Sequence, residues 1–213
     1  MQKTKRQYVQ FHNYYTLYCL SVLFLSTGHR PVNDPFDDLN SFNLTDGKIF
    51  ISDKESRSSP SARTVILPVL ALDQLKYYLQ HLQTLKSYCN WQSSLISEHI
   101  SCVLKGNKPL FFWLDENTES VIRVTGKSLA ARNKGVWDLP LNWHRHYLRS
   151  ILTNANIASD IIDAWMGHAA PGCEGFSPYS SLSMQHMKQV ADFLDHDFKL
   201  NGISPQKGWC QND

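Results

Sequence analysis

Cysteine is sparse and unpatterned in this chain. There are five, at positions 19, 89, 102, 173 and 210, an odd count at wide spacing with no CxxC pair. That excludes a disulfide-stapled scaffold and fits reduced thiols in a cytoplasmic protein. Charge of one sign is also scarce: 21 Lys and Arg against 19 Asp and Glu leave +2, so the sum does not mark a nucleic-acid binder. No apolar run is long enough to span a bilayer. The nearest, residues 14–25, is broken by Thr16, Cys19 and Ser21 and follows polar Gln10, His12 and Asn13. With the basic head MQKTKRQ it has the outline of a secretory signal, but the polar interruptions favour a buried helix and no membrane partner. A nucleotide-binding loop is lacking too. Val124-Thr125-Gly126-Lys127-Ser128 has the end of one, but Val121 stands where the earlier glycine is required.

What is present is material for a core. The chain has 213 residues, 42% apolar and 12% aromatic, enough for one large domain or two small ones. Residues 7–26 read as a helix, with Tyr15, Tyr18, Val22 and Leu25 at helical spacing, closed by Thr27-Gly28. Residues 37–43 suit a short helix, followed by the turn Thr45-Asp46-Gly47. Residues 48–52 and 63–67 are strands joined by a long polar loop. Leu72, Leu75, Leu79, Leu82 and Leu85 mark an amphipathic helix whose stripe is core, with His81 beside it as a surface or boundary residue. Residues 91–104 read as a helix and 109–114 as a buried apolar segment. Residues 126–134 form a basic helix. Pro140 suits the start of the next helix, Ser159 caps another, and Gly167 ends it. A last helix covers 183–200, and the tail from 201 is frayed.

Charge distribution says more than its sum. Arg123, Lys127, Arg132 and Lys134 fall in a stretch without acids, while acids gather in 34–38, 115–119 and 192–197. The plain reading of each run is a solvated face; the functional reading of the basic one is contact with DNA phosphates. The chemistry concentrates in residues 141–179. There His146-Tyr147-Leu148-Arg149 puts a His and an Arg on one helix face, Gly167-His168 follows a second helix, and Tyr179 lies eleven residues beyond. Basic groups converging on a phenol suit attack on a phosphodiester: the phenol loses a proton, the leaving oxygen gains one, and cations stabilise the phosphorane. The rival chemistry is a metal site of His144, His146, His168 and Cys173. It is disfavoured because His144 and His146 lie about 200° apart around a helix.

His-x-x-Arg, Gly-His and a following Tyr, with Thr27-Gly28-His29-Arg30 upstream and Lys54 on a hairpin between them, resemble the motif set of the tyrosine recombinase (phage integrase) family. The resemblance spans about residues 14–200. It departs from the pattern at Asn33, where the family usually has Glu, and in a slightly longer His-to-Tyr loop. It implies an α+β, mainly helical catalytic domain with a small antiparallel β-sheet packed against a helical core, occupying 1–213, with no N-terminal core-binding domain before it. It implies site-specific DNA cleavage and rejoining through a 3′-phosphotyrosyl link, without metal or cofactor, by a homo-tetramer on double-stranded DNA. Arg30 and Arg149 would hold the non-bridging oxygens, Lys54 would protonate the leaving 5′-oxygen, with Arg57 and Arg63 as competitors, His146 would handle the nucleophile's proton, His168 would bond the phosphate, and Tyr179 would attack. A topoisomerase would use the same residues. Two other classes remain open: a non-catalytic DNA-binding truncated integrase that occupies sites, and a secreted helical protein in which the motifs coincide by chance.

Overall fold

The computed structural model describes residues 5–52, 62–89, 94–118, 120–136, 139–168 and 182–209. Those residues form an α+β, mainly helical arrangement with two small antiparallel sheets. Helix α1 (Lys5–Thr27) is its axis. From 15 to 25 it is buried round most of its circumference, and Leu20 and Leu23 are sealed from solvent. Each such side chain contributes roughly 1.5–3 kcal/mol. The polar residues that interrupt its apolar run are buried with partners. Asn13 Nδ2 donates to Leu114 O at 2.9 Å and its Oδ1 accepts from Leu114 N at 2.9 Å, so one amide reads a strand edge as a neighbouring strand would. Among the described residues no helix is long and apolar enough to cross a membrane.

After α1 a single 3-10 turn, Leu39–Ser41, replaces the short helix expected at 37–43; the chain then enters β1 (Phe42–Asn43). Strands β2 (Lys48–Ile51) and β3 (Arg63–Ile66) pair antiparallel as expected, in register Ile51↔Arg63 through Lys48↔Ile66. Ile49, Ile51 and Val65 face the helical core. Helices α2 (Val69–Cys89) and α3 (Ser94–Leu104) follow. The apolar segment at 109–114 contains strand β4 (Phe112–Leu114), hairpinned to an unforeseen β5 (Val121–Arg123). Helix α4 (Gly126–Asn133) starts with a capping box between Thr125 and Ser128. Helix α5 (Trp143–Asn154) begins three residues after Pro140, beyond a turn closed by Trp143 N–H on Pro140 O at 2.9 Å. Helix α6 (Ser159–Met166) takes Ala158 as its cap, with Ser159 already helical. Helix α7 (Met184–Leu200) packs on α2, and its Asp195 accepts from Leu70 N–H at 2.8 Å, satisfying an orphan donor at the α2 N-terminus.

Two expectations are corrected at the far end of α1. His81 is not a boundary residue: it is fully buried. The tail is not frayed: residues 203–209 run back across α1 and α2. Tyr18 Oη donates to Ser204 O (2.6 Å) and Tyr15 Oη to Gln206 O (2.7 Å), while the Gln74 amide takes both Gln206 N (2.7 Å) and Gln206 O (3.1 Å). Trp209 stacks on Phe11 with ring centres 4.7 Å apart and meets Tyr8 edge-on at 4.7 Å. Trp209 N–H lies 3.3 Å from His81 Nδ1, so that nitrogen accepts and the ring proton sits on Nε2. Nε2 then donates to His12 Nδ1 (3.1 Å), and His12 Nε2 donates to Phe112 O (3.2 Å). The chain of donors is complete only with both rings neutral. Burial holds His12 down to about 3 and His81 well below the usual histidine range.

Candidate functional site at two helix ends

The site lies where α1 and α6 stop side by side. Both helices end in a glycine of left-handed conformation, Gly28 (φ 63°) and Gly167 (φ 67°). A Cβ at Gly28 would press on Met166 Sδ at 2.8 Å and Leu148 at 3.1 Å, so the turn also needs glycine for close packing. Helix C-termini leave carbonyls without helical partners and carry partial negative charge. Two buried arginines meet them. Arg63, from β3, donates from Nε to Trp165 O (2.8 Å) and from Nη2 to Thr27 O (3.4 Å). Arg145, from α5, donates from Nη1 to Gly28 O and from Nη2 to Met166 O (3.0 Å). Consecutive carbonyls of each helix are thus taken by two guanidiniums from two different elements.

His168 follows Gly167 and closes the cluster. Its Nε2 is 2.7 Å from Arg145 Nη2; a guanidinium only donates, so Nε2 accepts. Nδ1 lies 3.9 Å from Asp163 Oδ1 and 3.5 Å from Arg149 Nη1. Arg149 Nη1 itself bonds Asp163 Oδ1 at 2.8 Å. Protonation of His168 is depressed, chiefly by burial, then by the charges of Arg145 and Arg30, with Asp163 opposing. The charge of Arg30 is thus felt at the same ring. By contact the cluster gathers three guanidiniums (Arg63, Arg145 and Arg149), one imidazole (His168) and one carboxylate (Asp163).

Among the predicted site residues the structure brings together Arg149 and His168, and the charge of Arg30 reaches the His168 ring. His146 stands exposed on α5, and its ring makes no hydrogen bond among the described residues. Lys54 and Tyr179 lie outside the described residues, as do Arg57 and Cys173. Of the basic set, Arg123 is paired with Asp34, Nε to Oδ2 at 2.6 Å. Arg132 lies over the Trp113 ring at 4.6 Å. Lys127 and Lys134 are exposed on and just beyond α4. His144 turns away from His146 as helix geometry requires: it is buried, with Nε2 donating to His29 O at 2.8 Å.

Sequence reasoning missed Arg145 and gave Arg63 a different part. Spacing shows only that Arg145 stands one helical turn before Arg149; the carbonyls that hold it belong to distant segments. No family model, no curated protein and no solved structure matches this chain.

Proposed function

We propose that this chain is the catalytic domain of a tyrosine-type DNA strand transferase, working on double-stranded DNA as a homo-oligomer. One observation carries the reading: Arg145 and Arg149 contact His168 where α1 and α6 meet, and the charge of Arg30 reaches the same ring. Such a cluster suits a pentacoordinate phosphorus, whose added negative charge needs preset donors. In this reading the Tyr179 phenol attacks phosphorus while His146 takes its proton. The bond from phosphorus to the 5′-oxygen breaks, and Lys54 protonates that oxygen. Arg30 and Arg149 hold the non-bridging oxygens, and His168 bonds the phosphate. Arg145 holds the His168 ring through Nε2. Charge supplied by the protein serves the role a metal would otherwise have. Attack by a 5′-hydroxyl on the phosphotyrosine reverses the step.

The test is covalent trapping on a nicked duplex whose cleaved fragment diffuses away. An adduct that survives denaturation, persists in EDTA and disappears in Tyr179→Phe is the expected result. DNA shifted in a gel with no adduct on any substrate overturns the catalytic claim and leaves a binding-only protein.

A further inference from the structure

We propose that Arg63 is a positioning residue: with Arg145 it sets the separation of Arg30 from His168 by tying the carbonyl ends of α1 and α6 together. The consequence for catalysis rests on the strand-transfer reading above; the geometric claim stands without it. Arg30 and His168 each follow, by three residues, a carbonyl that Arg63 holds, Thr27 O and Trp165 O. Neither turn can swing without breaking one of those bonds.

The side chain is suited to this and to little else. It is 5% exposed, so it is not placed to meet a ligand from solvent. Its planar fork reaches two carbonyls from two helices, which a lysine ammonium on a flexible stem cannot match in geometry. Both carbonyls belong to helix C-termini, where a buried cation gains from the aligned peptide dipoles. Arg63 also fills the space beside Gly167: a Cβ there would come within 2.6 Å of its Nη1. Its backbone is pinned by pairing with Ile51 in the β2–β3 ladder. Arg145 approaches the same helix ends from α5, one carbonyl further along on each. A brace on one side alone would leave the turns free to pivot about it; two braces from separate elements fix both distance and angle.

The experiment compares wild type, Arg63→Gln and Arg63→Lys by imidazole 15N NMR and by the trapping assay. Unchanged His12 and His81 ring signals, far from the site, report that a variant is folded. In folded Arg63→Gln the His168 ring signals shift, and its titration midpoint rises toward the ordinary histidine value as the Arg145 contact loosens. Adduct formation falls about 100-fold at saturating DNA with little change in DNA affinity, as for a group misplaced by about 1 Å. Arg63→Lys recovers part of both. A folded Arg63→Gln with His168 signals and midpoint identical to wild type overturns the proposal. If Arg63→Gln does not fold, Arg63→Lys is judged by the same signals. A wild type that forms no adduct defeats the strand-transfer reading alone, since the His168 ring still decides the role of Arg63.

Discussion

Arg145 and Arg149 stand one helical turn apart on α5, yet Arg145 is buried against backbone carbonyls while Arg149 faces solvent beside Asp163. Their substitutions should separate two effects. Arg145→Ala strands two buried carbonyls, at about 1–3 kcal/mol each, and is read as a lowered urea midpoint. Arg149→Ala changes stability by no more than about 1 kcal/mol, as for an exposed ion pair, but cuts the trapped-adduct rate about 100-fold. An Arg149→Ala protein with wild-type adduct formation would remove Arg149 from the chemistry. The difference also shows what was legible. Arg30, Arg149 and His168 sit next to turn glycines or on a helix face that spacing reveals. Arg145 and Arg63 are recognised by carbonyls more than a hundred residues away in two of their bonds, Gly28 O and Trp165 O, and nothing local announces that.

Among the elements, the long helices were readable because their apolar periodicity is the property that folding uses. The β4–β5 hairpin was not: its strands are three residues each, and Phe112, Trp113 and Leu114 are all buried, which erases the alternation that marks a strand. The tail misled for the opposite reason. Its Gly, Pro and polar residues lack periodicity, but α1 and α2 hold it through its backbone, with Trp209 as the apolar anchor. Trp209→Ala should therefore cost about 3 kcal/mol, the low end for a buried tryptophan, seen as a lowered urea midpoint. Asn13→Leu, close in volume, should cost about 1–3 kcal/mol for each Leu114 group left without a partner. A wild-type midpoint for Trp209→Ala would mean that the tail adds nothing to the fold.

At the scale of the molecule, buried neutral histidines set the response to acid. His12 is held to about 3 and His144 to about 4, each chiefly by burial, and His81 is lowered as well. In the unfolded chain each titrates near its ordinary value of about 6.5. Below that pH the unfolded state binds more protons than the folded one. The stabilisation from neutral rings is thus complete above about pH 6.5 and declines as pH falls toward 4, at up to about 1.4 kcal/mol per pH unit for each ring. Urea unfolding at pH 7.5 and at pH 5 checks this: the midpoint should be clearly lower at pH 5. A midpoint that holds or rises on acidification would show that these rings are not the neutral, proton-ordered pair and carbonyl donor described here.

Trp209 rests on Tyr8 and Phe11, so the first helical turns and the last described residue share one patch at the end of α1 remote from Gly28. Topologically the described residues form a ring closed by contact alone at that patch. A short flexible linker joining residue 5 to residue 209 should close it without strain, and the circular-dichroism spectrum should be unchanged.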